Sequence, residues 1–124
     1  MNRGIITISE KGVVTMPTAP VWMTQQEIAD LFGVFSCHVR KAIQAIYKNK
    51  EVSELDTMKY VRQADGISYD VYSLEMIVAI AFRVCSKESI TFRQFVVDKM
   101  NETAKASPTI LFVSYGRTGN AWGG

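Results

Sequence analysis

A chain of 124 residues, 48% of them hydrophobic, is long enough to form one domain around its own core. Its 14 Lys and Arg residues and 12 Asp and Glu residues give a net charge of +2, which excludes a polyionic tail and a disordered chain dominated by charge. Two cysteines, Cys37 and Cys85, and a single histidine, His38, stand in no metal-ligand spacing. We therefore expect one globular domain with no metal site and no cofactor.

The N-terminal sequence has no secretory or membrane-spanning pattern. A charged residue, Arg3, comes before any apolar run of signal-peptide length, and no stretch of the chain reaches about 18 apolar residues. The sequence thus predicts a cytoplasmic chain with reduced thiols and no membrane partner.

Residues 1–20 are predicted to form an N-terminal β-hairpin. Two β-branched runs, residues 5–8 and 13–16, are separated by Ser9-Glu10-Lys11-Gly12, which has the length and the glycine of a hairpin loop. Two prolines then restrict a short connector. The main domain is therefore expected to begin at residue 21.

A helical pattern begins after Thr24. Thr24 and Glu27 have the T-x-x-E spacing of a capping box, and the helix that they begin is predicted to end at Gly33. Ser36 is predicted to be the N-cap of a second helix. One face of this second helix carries apolar residues at helical spacing, namely Val39, Ala42, Ile43, Ile46 and Tyr47.

A second hairpin is predicted after a polar loop. Residues 49–56 are loop-like, and the runs 57–63 and 67–73 flank Ala64-Asp65-Gly66. The Asp-Gly pair supplies the positive φ that a tight hairpin needs.

Two further helices are predicted after this hairpin. The first, over residues 74–85, is capped by Ser73 and is apolar except at Glu75 and Arg83, so we expect it to be buried on more than one side. The second covers residues 89–105. It is expected to bury one face, formed by Phe92, Phe95, Val96 and Met100.

The first two helices have the spacing of a helix-turn-helix. Counted from Gln25 as the first position, the small residue at the fifth is Ala29, which allows close helix approach, and the turn glycine at the ninth is Gly33. The positions expected to be buried are all apolar: Ile28, Phe32, Val34, Val39 and Ala42. Because the second hairpin follows in the place of a wing, residues 21–105 are predicted to form an α+β winged helix-turn-helix domain.

The second helix carries the residue types that read DNA. Arg40 and Lys41 can reach guanine edges or phosphates, and Gln44 offers the paired donor and acceptor that adenine accepts in the major groove. No acidic residue lies between Phe35 and Lys50, and the helix N-terminus adds attraction for a phosphate. The predicted partner is double-stranded DNA. The predicted contact residues are Ser36, Cys37, His38, Arg40, Lys41, Gln44 and Lys48, with Lys59 and Arg62 from the hairpin.

Several ordered blocks resemble a known family. The chain has VWMTQQEIADLFGV at residues 21–34, YSLEMI at 72–77, FRVCSK at 82–87 and TFR at 91–93. In this order the blocks are similar to those of the RhuM-type virulence-associated proteins. The resemblance implies a bacterial protein, often carried on mobile elements, with a DNA-binding or regulatory function such as control of transcription.

Two alternatives to DNA binding differ in class. An enzyme is not expected, because no Ser-His-acid grouping, phosphate-binding loop or paired carboxylates are present. The sequence thus predicts no catalytic residues and no small-molecule substrate. The stronger alternative is a protein-protein interaction module on a winged-helix fold, with Phe35 and residues 110–113 as its interface.

A homodimer is expected under the DNA-binding interpretation. Helix-turn-helix proteins commonly use two half-sites, since a single small module buries little surface on DNA. The apolar helix over 74–85 offers one surface for a partner. The tail, residues 106–124, offers another, because its apolar run 109–115 predicts a strand that needs covering.

Overall fold

The computed structural model describes residues 2–106 of the chain. Over this range five helices and two small antiparallel sheets confirm the predicted α+β class. The predicted strand at 109–115 lies outside the described residues. In chain order the elements are β1 (Thr7–Ile8), β2 (Val14–Thr15), β3 (Trp22–Met23), α1 (Gln25–Phe32), α2 (Ser36–Lys48), α3 (Glu54–Thr57), β4 (Met58–Arg62), β5 (Ser68–Ser73), α4 (Leu74–Ala81) and α5 (Lys87–Ala106).

Two compact units divide the chain at Arg93, within α5. The first unit contains every element up to α4 and the first seven residues of α5. The second unit begins at Gln94 and includes the rest of α5. The candidate site described below lies entirely in the first unit.

The N-terminal hairpin is confirmed, with shorter strands than predicted. β1 and β2 are antiparallel, with Thr7 opposite Thr15 and Ile8 opposite Val14. The turn is closed by hydrogen bonds from the Gly12 N–H to the Ser9 carbonyl and from the Ser9 N–H to the Val13 carbonyl, each 2.9 Å long. The hairpin therefore forms where the turn residues predict it.

The second sheet has the strand order β3-β5-β4. β4 and β5 form the second predicted hairpin, and Gly66 in its turn has a φ of 90°. The strand β3 is not predicted from the sequence. It pairs with β5, with Trp22 opposite Ser73 and Met23 opposite Tyr72, so the segment before α1 closes onto the far strand of the hairpin.

α1 begins and ends at the predicted residues. The Thr24 side chain accepts a hydrogen bond from the Glu27 N–H, and the Glu27 carboxylate accepts one from the Thr24 N–H at 2.7 Å. Gly33 ends the helix in the left-handed conformation, with a φ of 63°. Both local signals are therefore confirmed.

The start of α2 differs from the prediction. Phe35 is the N-cap and its side chain makes no capping hydrogen bond, while Ser36 is already the first helical residue. The Ser36 Oγ instead accepts a hydrogen bond from the Gln25 side-chain amide at 2.8 Å. The predicted Ser36 cap is thus wrong, because the Ser36 hydroxyl accepts a hydrogen bond from a residue on α1.

The predicted loop over 49–56 is only partly correct, since its last residues belong to α3.

The two later helices have different ends from those predicted. α4 ends at Ala81 rather than residue 85, and the Ser73 side chain before it makes no capping hydrogen bond. α5 begins at Lys87 rather than Ser89, because Ser86 and Ser89 exchange hydrogen bonds between each backbone N–H and the other's Oγ.

The predicted burial of the α5 face is only partly correct. Phe92 is fully buried, and Phe95 and Val96 are half-buried. Met100 is 65% exposed, so its predicted burial is wrong. The helical period identifies a stripe of apolar residues but not how far along the helix other elements cover it.

The core of the first unit joins the helix pair to the sheet and to α4. The Phe32 and Phe92 rings meet edge to face, with centroids 5.6 Å apart. Ala29 has no exposed surface, as expected for a small residue where two helices pack closely. Other fully buried side chains are Met23, Ile28, Val39, Ile46, Val71, Met76, Ile77 and Ile80.

Gly33 is required for its backbone conformation, because the nearest atom to an added Cβ, at 2.9 Å, is at the end of the flexible Glu88 side chain. We expect Gly33→Ala to lower the free energy of unfolding by about 1–2 kcal/mol, since a φ of 63° is unfavourable for a residue with a Cβ. Gly33→Asn should cost less, because asparagine tolerates the left-handed region. Denaturant unfolding measures both. Parent stability in Gly33→Ala would contradict the prediction.

Candidate nucleic-acid interface

The outward face of α2 carries the predicted DNA-reading side chains. At 100° per residue its side chains lie within an arc of about 100°. All of them are exposed: Cys37, Arg40, Lys41, Gln44 and Lys48. We call these five residues the α2 face. The structure therefore brings together five of the nine predicted site residues on one exposed surface.

The opposite side of α2 holds the helix in place. Val39 and Ile46 have no exposed surface, and Ile43 is 6% exposed. These residues anchor the helix, because turning α2 about its axis would expose them to water. The orientation of the α2 face is thus a result of core packing.

The cations of the α2 face have no carboxylate partner among the side chains that the structure describes. Of the salt bridges among residues 2–103, the range in which side chains are described, none includes Arg40, Lys41 or Lys48. All three side chains project into solvent and are available to an external anion. Arginine suits paired contacts with phosphate or guanine, and lysine acts as a mobile point charge.

Side-chain hydrogen bonds tie both ends of α2 to neighbouring elements. At its start the Gln25 amide donates to the Ser36 Oγ at 2.8 Å and to the Ser36 carbonyl at 3.3 Å. Near its end the Tyr47 and Thr57 hydroxyl oxygens are 2.8 Å apart and share a hydrogen bond. Burial raises the pKa of the Tyr47 hydroxyl more than the hydrogen bond with Thr57 lowers it.

The N-terminal end of α2 presents an aromatic pair. The Phe35 side chain is 76% exposed, and its ring meets the His38 ring edge to face with centroids 5.9 Å apart. His38 is exposed, whereas Ser36 is half-buried against α1. Of these residues, Ser36 and His38 were predicted as DNA contacts.

The two predicted hairpin contacts do not share a face. Lys59 and Arg62 are three residues apart on β4, and side chains alternate between the faces of a strand, so they project from opposite sides. The Lys59 ammonium lies over the Trp22 ring, 4.3 Å from its centroid. Arg62 is exposed at the last position of β4, beside the hairpin turn.

Tyr60 is a candidate contact that the sequence analysis missed. It is 70% exposed and lies two residues before Arg62, on the same face of β4. The alternation of strand residues is the signal that could have grouped these two side chains. The hairpin face available beside its turn therefore combines an aromatic ring with a guanidinium.

An ion pair fixes the segment before the helix pair to α1. The Arg3 guanidinium donates to both carboxylate oxygens of Glu27 and to the Trp22 carbonyl. Burial raises the pKa of Glu27, but the hydrogen bonds from Arg3 and Thr24 outweigh it and hold the pKa below its ordinary value. The guanidinium also lies 5.6 Å from the Tyr69 ring centroid. Arg3 thus supports the site rather than forming part of its surface.

In the described part of the chain, no group of three or more His, Cys, Asp or Glu side chains is placed to hold a metal ion. Between residues 2 and 106, no helix has the length and apolar character needed to cross a membrane.

Comparisons of the chain with protein-family models, with curated proteins and with solved structures find no match.

Proposed function

We propose that this chain binds double-stranded DNA through the α2 face and acts in transcriptional regulation. The observation that carries the proposal is the exposed group of Arg40, Lys41 and Lys48, with Gln44 between them, on a helix anchored by its buried side. Phosphate contacts supply most of the affinity of non-specific DNA binding, and base-edge contacts supply specificity.

The topology around α2 supports a winged helix-turn-helix. α1 and α2 are joined by a short turn containing Gly33, and the hairpin β4-β5 follows. The strand before α1 pairs with the far strand of that hairpin. In our proposal the hairpin acts as the wing, with Tyr60 and Arg62 on one face of its first strand.

Four side chains of the α2 face have a proposed role. With α2 in the major groove, Gln44 donates to and accepts from an adenine edge, and Arg40 reaches guanine or a phosphate. Lys41 and Lys48 contact phosphates and carry no sequence preference.

The likeness to RhuM-type proteins supports a regulatory role in a bacterial mobile element. We further propose a homodimer that occupies two half-sites.

A charge-reversal experiment tests the proposal. The parent should be retained on random duplex DNA at low salt, and the double variant Arg40→Glu with Lys41→Glu should lose that retention, because both phosphate contacts become repulsive. The matched control is Lys11→Glu with Lys87→Glu, which makes the same change in net charge at two exposed lysines outside α2. This control should keep most of the binding.

Three results would contradict the proposal. The parent could fail to bind duplex DNA, the α2 double variant could bind as well as the parent, or the control could lose binding equally. Failure of the parent would favour the protein-protein interaction module, for which the 76% exposed Phe35 is the anchoring side chain.

A further inference from the structure

Phe35 occupies a position at which its residue type is locally unfavourable. It is the N-cap of α2, where a side-chain oxygen normally accepts a hydrogen bond from the first turn, and it makes no such bond. Its ring is also 76% exposed rather than packed in the turn between the helices. A serine or aspartate would satisfy the helix end and expose no apolar surface.

Residues that break local rules without a structural gain tend to lie at functional sites. Phe35 is at the N-terminal end of α2, the part of a recognition helix that contacts base edges. Its exposed neighbours in the first turn are Cys37 and His38, and the arginine and lysine residues of the helix begin at Arg40. The tip of the helix is therefore aromatic, and its charge lies further along.

The major groove offers one apolar group to such a tip, the 5-methyl group of thymine. We infer that Phe35 contacts thymine methyl groups, with the His38 ring against its edge limiting the positions of the phenyl ring. This inference rests on the proposed DNA binding. It adds a preference for thymine at the base pairs that face the start of α2.

The test compares two duplexes that differ only in methyl groups. One is a short alternating A·T duplex, and the other has deoxyuridine in place of thymidine. We expect the parent to bind the thymine duplex about fourfold more tightly for each methyl group contacted, the value expected for burying one such group. Fluorescence anisotropy at low salt measures both affinities.

Three variants separate base contact from helix stability. Phe35→Ser should remove the preference for thymine, and should raise Tm by about 2–6 °C because serine caps the helix. Phe35→Leu should keep part of the preference, since leucine is also apolar. Leu55→Ser is the matched control, because Leu55 is 94% exposed on α3 and outside the α2 face. It should leave the ratio of affinities unchanged.

The outcomes distinguish this inference from the proposed function. Equal binding of both duplexes by the parent, or an unchanged ratio in Phe35→Ser, would overturn the thymine contact and leave DNA binding intact. A parent that binds neither duplex would overturn both. A Tm lower in Phe35→Ser than in the parent would contradict the claim that phenylalanine is unfavourable at this helix end.

Discussion

Raising the salt concentration from about 50 to about 200 mM should weaken binding to random duplex DNA by about 150-fold per subunit. This loss follows from four phosphate contacts in each subunit. Three come from Arg40, Lys41 and Lys48, and one comes from the hairpin, because Lys59 and Arg62 project from opposite faces of β4. At about 0.9 per contact, the slope of log affinity against log salt is about −3.6. A homodimer on two half-sites should double that slope.

Single substitutions assign the slope to particular side chains. Lys48→Ala should weaken binding to all sequences alike and make the slope shallower by about one. Gln44→Ala should leave the slope unchanged and reduce discrimination at one base pair by about 1–3 kcal/mol. Lys11→Ala, at an exposed lysine in the β1–β2 turn, is the control and should change neither. A parent slope shallower than about −1 would show that these cations do not contact phosphates.

Phe32→Ala should lower the free energy of unfolding by about 3–5 kcal/mol. Phe32 is fully buried at the end of α1, where its ring meets the edge of Phe92. Truncation removes this contact and leaves a cavity beside the helix pair. Since small domains are stable by only about 5–15 kcal/mol, a large part of the stability would be lost. Urea unfolding followed by circular dichroism measures the change.

The same substitution three residues later is the matched control. Phe35→Ala removes an identical ring that is 76% exposed, so the free energy of unfolding should change by no more than about 0.5 kcal/mol. Similar losses in the two variants would contradict the assignment of Phe32 to the core. A smaller m-value in Phe32→Ala alone would indicate a change in the unfolding transition rather than in stability alone.

The parts of the fold that depend on neighbouring residues could be predicted from the sequence. The capping box of Thr24 and Glu27, the left-handed Gly33 and the turn at Gly66 all require only residues within a few positions. For the same reason the helical period identified the exposed side of α2. Each of these signals lies within a single helix or hairpin.

The features that were missed depend on contacts between distant residues. Ser36 fails as a cap because Gln25, eleven residues earlier, occupies its hydroxyl. β3 has only two residues and is recognisable only through its pairing with β5. The interaction of Lys59 with Trp22 likewise joins two strands that do not pair directly. No local pattern contains this information.

The exposure of Phe35 is a different case. Its exposure agrees with the interface expected for it under the protein-interaction alternative, but a side chain without a hydrogen-bonding oxygen was not expected at the N-cap of α2. Sequence patterns report average preferences, and a residue retained for a contact outside the chain is expected to depart from them. The conflict between residue type and position could be recognised only after the N-cap was located.

The Glu27 carboxylate serves two partners, since it completes the α1 capping box and binds Arg3. Detachment of the N-terminal segment would remove one partner and leave the first turn of α1 less well fixed. Segments that share contacts in this way open together as one cooperative unit. Slow fluctuations that begin at Arg3 would thus reach Gln25 and its hydrogen bond to α2. We therefore expect the positioning of α2 to depend in part on Arg3, a residue outside the helix pair.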